Sequence, residues 1–198
     1  MTATLTRPEV KLPPELLDGL DDLDDLDIAP AEEAAPQGAV KTTQLVIVAE
    51  SGDLERTWAT AILASSAAAS GMQVSIFFTF WGLFPLVRPE IRVTGKNWMQ
   101  RMLAVMNRPG IDHLKLSKLN FAGMGPWMMH KLAREHGVAK PGELLEMAQA
   151  LGVRLIPCQM SMDMMGITVD QLVDGVEPAV GAATALELMA AADATLFI

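Results

Sequence analysis

The feature that most constrains the fold is a succession of apolar runs separated by stretches with helical spacing. QLVIVA at 44–49 has no polar alternation, the pattern of a strand covered on both faces. The next stretch, 53–70, sets Leu54, Trp58, Ile62 and a series of Ala and Ser on a helical stripe, and Gly71 stands where a C-terminal cap belongs. QVSIFFTF at 73–80 reads as a second strand. Further helices are expected at 97–107, 126–137 and 142–152, and VRLIP at 153–157 reads as a strand leading straight into Cys158. Thr168 and Gln171 have capping-box spacing for a short helix at 169–174. VEPAV at 176–180 predicts a brief strand, 182–193 a helix, and ATLFI at 194–198 a closing strand. Repeated strand–helix–strand units with short links predict an α/β fold: a mostly parallel sheet of about five strands flanked by helices.

Charge divides the chain. Residues 1–40 carry ten acids against Arg7 and Lys11, a net of −8, while the whole chain is −9, which leaves −1 for the rest. The acidic segment is rich in Pro and Ala and has no aromatic residue. Residues 1–42 are therefore expected to be a disordered tail and 43–198 the folded domain. Within the tail, Leu17, Leu20, Leu23 and Leu26 could form an apolar ridge for a partner, or the segment is simply solvated. Nothing supplies the basic patch that phosphate binding needs, so nucleic acid is excluded as a partner.

The longest apolar stretch, Val74–Val87, is interrupted by Thr79, Gly82 and Pro85 and is shorter than the roughly 20 residues of a membrane helix. No basic-then-apolar leader opens the sequence, and a single cysteine rules out an intrachain disulfide. A protein of the cytoplasm is expected. A mean hydropathy of +0.27 suggests apolar surface buried between subunits.

The one thiol, Cys158, follows the 153–157 strand directly. Chemistry in open parallel sheets gathers beyond the carboxyl ends of strands. Ser161 is expected to cap a helical turn over 162–166 whose N–H groups face the sulfur; Asp163 opposes a thiolate if close and helps if it only caps. Three readings of Cys158 stay open: a small buried apolar residue, a Cu(I) ligand with Met160, Met162, Met164 and Met165, or a nucleophile that carries sulfur.

Three segments then resemble a known family. FFTFWGL at 77–83, SKLNFAGMG at 117–125 and CQMSMDMMGI at 158–167 are similar, in that order, to the DsrE/DsrF-like family of sulfur-relay proteins. They are most like its single-chain "peroxiredoxin family protein" type. The resemblance covers about residues 43–198. It implies a flavodoxin-like domain and a homo-oligomer, with a trimer as the first guess. It also implies a cytoplasmic sulfur carrier or sulfurtransferase holding a persulfide or thiosulfonate on Cys158, supplied by a rhodanese-type donor and relieved by a small TusA-like acceptor. No cofactor is implied. Peroxidase turnover by a resolving thiol is ruled out, because the chain has none. The competing reading is a non-catalytic oligomeric binding module.

Among other candidates, Ser51 and Gly52 in SGD after the first strand could cradle an anion at a helix N-terminus, or serve as an ordinary helix entry. GMGPWM at 123–128 lacks the third glycine and the preceding strand of a dinucleotide loop. His113, His130 and His136 lack metal spacing; His130 and Lys131 either line the thiol pocket or sit on the surface.

Overall fold

The computed structural model describes residues 44–91, 98–100, 102 and 109–198. The expected acidic tail lies outside these residues, as does most of the expected helix 97–107, which is helical at its described positions 98–100 and 102.

The sheet has four strands: β1 (Gln44–Ala49), β2 (Gln73–Phe78), β3 (Arg154–Pro157) and β4 (Ala194–Phe197). Their order is β3-β2-β1-β4, and every pairing is parallel. The helices are α1 (Leu54–Ala69), α2 (Met124–Glu135), α3 (Pro141–Ala150), α4 (Gln159–Met165) and α5 (Ala182–Ala191).

Register explains the two layers. Ile47, Ile76 and Leu155 lie side by side on one face, and Val48, Phe77 and Ile156 on the other. The first face builds the main core with Ala64 of α1, Leu145 and Ala148 of α3, and Met162 and Met165 of α4. The second face is covered by α5, of which only Ala185 is buried. A third cluster joins Leu54 and Trp58 of α1 to Leu114, with Ala133 and Leu144 packed against it.

The sheet has four strands where about five were expected. VEPAV makes only isolated bridges beside β3, Leu155 with Val176 and Cys158 with Val180. Pro178 has no N–H to donate in the middle of that segment, so a continuous ladder cannot form. Beyond β2, the expected strand to residue 80 stops at Phe78, and the chain turns into a 3-10 segment over Phe80–Leu86. Phe80 adopts φ +45°, a left-handed conformation that an aromatic residue takes only when its surroundings impose it. The bonds that impose it are Thr79 N–H to the Ala49 carbonyl (2.9 Å), Phe80 N–H to Ser161 Oγ (3.1 Å) and Gly82 N–H to the Glu50 carbonyl (2.9 Å). Beyond α4, the capping box at Thr168 and Gln171 forms, but on a 3-10 turn of Val169–Gln171 rather than a helix to residue 174.

Among the described residues, no helix is long and apolar enough to cross a membrane.

Candidate thiol site

Cys158 stands where β3 ends and α4 begins. Its N–H donates to the Phe78 carbonyl (2.8 Å), which continues the sheet pairing one residue past Pro157. Its carbonyl accepts the Met162 N–H (3.0 Å), the first bond of the helix. The cysteine is therefore itself the N-cap of α4, in extended conformation. The expected cap at Ser161 is corrected: the helix starts at Gln159, and Ser161 sits inside its first turn with no exposed surface. The strand delivers the chain to its exit already extended, so no further turn is needed before the helix.

The sulfur lies on the α5 side of the sheet. Cys158 is 2 % exposed and packs with Val48, Phe77, Ile156 and Ala185, with Val180, Leu188 and Met189 at the edge. The methionines that follow it do not wall it in. Met162 and Met165 belong to the main core on the other face, while Met160 and Met164 are 58 % and 48 % exposed. A helix sends successive side chains about 100° apart, so MSMDMM distributes its thioethers between core and solvent. No convergent thioether set for Cu(I) results.

Polar groups reach the sulfur from two segments. Thr79, at the exit of β2, and Ser161 are both buried, and their hydroxyls lie 3.0 Å apart. Burial in itself raises the thiol pKa. The hydroxyl and N–H of Ser161, the hydroxyl of Thr79 and the N–H of Met160 outweigh it, holding the thiol below its ordinary value. Asp163 takes no part in this balance: its carboxylate accepts the Gln159 side-chain amide (2.9 Å) on the exposed side of α4. The Gln100 amide docks against the same helix, donating to the carbonyls of Asp163 (3.1 Å) and Met164 (3.2 Å).

Ser51 and Gly52 form a helix entry. The Ser51 hydroxyl lies 2.9 Å from the Asp53 carboxylate and accepts the Asp53 N–H, and the Leu54 N–H donates to the Lys115 carbonyl (2.8 Å). These N–H groups at the start of α1 are taken by the chain itself, which leaves them unavailable to an anion. Gly52 lies against the Trp81 carbonyl. Its neighbours Ser51 and Asp53, with Glu50, Arg56, Phe80 and Trp81, line a hollow of about 450 Å³ beside the β2 exit.

His130 and Lys131 do not line the thiol. His130 packs at a tilt against Trp58 (5.6 Å between centroids, 32° between planes), and Lys131 lies over the Trp127 ring (5.6 Å) and near Glu135 (3.9 Å). Burial pulls the His130 pKa down, with Lys140 and Arg134 acting the same way and Asp112 against. Among the described residues, no group of three or more His, Cys, Asp or Glu side chains is placed to hold a metal ion. The residues that sequence reasoning missed are Thr79 and the α5 cover. Thr79 did leave a signal, as the one hydroxyl within the apolar run FFTFWGL.

A model of the DsrE/DsrF/DrsH-like family matches residues 41–197. The chain belongs to that family. Two relatives are similar over most of their length. One is the uncharacterized protein YrkE of Bacillus subtilis, 39 % identical over 137 residues (69 % of this chain, 86 % of that protein). The other is the sulfur carrier protein DsrE2 of Allochromatium vinosum, 35 % identical over 156 residues (78 % of this chain, 98 % of that protein). Among solved structures, the ychN protein of E. coli aligns with a TM-score of 0.47 at 15 % identity, covering 79 % of this chain and 99 % of that one.

Proposed function

We propose that this chain carries sulfur in a relay, with Cys158 as the acceptor and donor atom. The carrying observation is the lone thiol at the β3 exit, held in an apolar pocket and biased toward thiolate by two hydroxyls and two amide groups. Membership of the family, and a relative that is a sulfur carrier, support the same reading.

The chemistry balances with one thiol. The Cys158 thiolate attacks the sulfane sulfur of a persulfide donor. The Sγ–S bond forms, the donor S–S bond breaks, and the donor leaves as a thiolate that takes a proton. An acceptor thiolate reverses the exchange and frees Cys158. A thiosulfonate on Cys158 arises from tetrathionate without a separate oxidant, thiosulfate being the leaving group. The donor is a rhodanese-type persulfide and the acceptor a small TusA-like thiol protein, and the reaction belongs to the cytoplasm.

We place the active form in a closed homo-oligomer, a trimer first. On the described chain Leu119, Phe121, Met124, Trp127 and Met128 are all exposed, a patch that monomers rarely leave in water. The same patch favours a second reading, a binding module that recruits partners without covalent chemistry.

One experiment separates the two. The protein is incubated with polysulfide, a rhodanese persulfide or tetrathionate, and its intact mass is measured. A sulfur adduct that dithiothreitol removes and Cys158→Ser lacks is expected. No adduct with any donor would sink the carrier reading and leave the binding module. Light scattering that finds a monomer at micromolar concentration would remove the oligomer. Residues 1–42 are an acidic tail that loading does not need; a chain beginning near Val40 is expected to take up sulfur as fast as the full chain.

A further inference from the structure

We propose that the helical positions 98–100 and 102, together with the outer face of α4, form the surface on which a sulfur-exchanging protein docks, and that donor and acceptor occupy it in turn. The inference rests on the carrier reading above and deepens it.

One side chain joins the two halves of the surface. The Gln100 amide donates to the carbonyls of Asp163 (3.1 Å) and Met164 (3.2 Å), near the end of α4. These bonds seat the 98–102 segment against the helix that begins at the thiol. Trp98, Met99 and Met102 are exposed on one element, and Met160 and Met164 on the other. Trp98 alone is 70 % exposed. A single apolar side chain in water needs no explanation, but a group of large ones on two elements pinned together marks a contact surface. The residue types point to a protein as the occupant. Trp and Met are enriched in protein interfaces, Trp is a frequent hot spot, and flexible Met surfaces adapt to more than one partner.

Charge narrows the partner. Residues 92–108 hold Arg92, Lys96, Arg101 and Arg108 and no acid, a net of +4 in a chain of net −9. A partner with acidic residues around an apolar centre complements this stretch, whereas a second copy presenting the same stretch is repelled by it.

Position ties the surface to the chemistry. Cys158 is the N-cap of α4, which is seven residues long, so the far end of the helix is about 10 Å from the cysteine. A typical interface covers about 800 Å² on each partner and is therefore roughly 28 Å across. A protein seated on Trp98 and α4 thus also reaches the β3 exit. Loading and unloading both need a partner sulfur within about 2 Å of the Cys158 sulfur, and the chain has one cysteine, so sulfur cannot enter at one place and leave from another. Donor and acceptor therefore exclude each other.

The test compares a protein donor with a small one. Full-length wild type, Trp98→Ala and Met102→Glu are loaded from a purified rhodanese persulfide and, separately, from polysulfide, and intact mass follows the rate. Circular dichroism melts check the fold of each variant. Loss of an interface hot spot predicts that the ratio of the rhodanese rate to the polysulfide rate falls about tenfold or more in both variants. Unloading to a TusA-like thiol protein is expected to slow in the same variants, and excess sulfur-free rhodanese to slow it in wild type. An unchanged ratio would overturn the proposal, as would a wild type that polysulfide loads and rhodanese does not. A fall in oligomer mass of Trp98→Ala by light scattering would assign the surface to a second copy and overturn it as well. A wild type that takes no sulfur from any donor rejects the carrier reading itself, and the docking surface with it.

Discussion

Gly82→Ala probes the tightest contact around the thiol site. A Cβ at Gly82 would lie 2.2 Å from the Ala49 carbonyl oxygen, 2.8 Å from its carbon and 3.3 Å from the carbonyl carbon of Glu50. All three are backbone atoms at the exit of β1, so no side chain can swing aside. Relief requires the 3-10 segment to lift by about an ångström. That movement breaks the Gly82 N–H bond to the Glu50 carbonyl and strains the Thr79 N–H bond to Ala49. Each buried backbone bond contributes about 1 kcal/mol, and the crowding itself costs about 1–3 kcal/mol. Leu83 and Leu86, both fully buried in the main core, are dragged along. The expected destabilisation is about 3–4 kcal/mol, which for a domain of this size lowers Tm by roughly 6–16 °C. Circular dichroism melts and urea titrations read it. Gly181→Ser is the control: nothing lies within 4 Å of its Cβ, and it is the N-cap of α5, where serine is favoured. A Gly82→Ala protein within about 0.5 kcal/mol of wild type would refute the reading that backbone closure, not glycine flexibility, fixes this residue.

Other outcomes follow from single contacts. Because the folded thiol titrates below its ordinary value, the unfolded chain binds more protons between the two values. The Cys158 contribution is therefore full above about pH 8.5 and is lost as pH falls through the folded pKa; urea stability of wild type minus Cys158→Ser should grow with rising pH, and a flat or falling difference would contradict it. His130 is held neutral chiefly by burial, so stability should drop as pH falls below its ordinary 6.5 toward the folded value; His130→Gln should flatten that limb of the stability curve. Trp58→Phe removes the indole N–H bond to the Ala139 carbonyl (3.0 Å) and is expected to cost about 1–2 kcal/mol by urea denaturation. Glu177→Gln weakens a half-exposed ion pair with Arg154 (2.6 and 2.8 Å), and less than about 1 kcal/mol should be lost.

Strands β1 to β3 were readable because each is a short, nearly unbroken apolar run, and a strand buried on both faces has no other way to look. Cys158 at the β3 exit followed from adjacency alone, in VRLIPC. The start of α4 was misread because Ser161 is a common cap residue, whereas the strand hands the chain to the helix at Cys158 without needing a side-chain cap. The turn at Phe80 had no local signature: no sequence rule puts phenylalanine at φ +45°, and only bonds from β1 and α4 hold it there. The walls of the thiol pocket were also out of reach. They come from α5, far along the chain, while the four methionines next to Cys158 point away from it.

The arrangement reconciles two demands that pull against each other. In the proposed carrier role, apolar burial would shield the sulfur from water, yet burial by itself raises the thiol pKa and disfavours the thiolate. Opening the pocket would restore the thiolate and lose the shield. Hydroxyls built into the wall supply polarity without admitting water, and this is the position that Thr79 and Ser161 hold between two strand exits. Bringing them there sets Phe80 in a strained conformation and closes residues 80–86 so tightly on β1 that only glycine fits at 82. Leu119 and Phe121, before α2, are the other described non-glycine residues at positive φ, so strain of this kind falls in the connections and not in the strands. With Cys158 2 % exposed, the proposed exchange of sulfur with a protein partner would require the cover to part. The element above the sulfur is α5, which buries a single alanine and so is the weakest-held wall of the pocket.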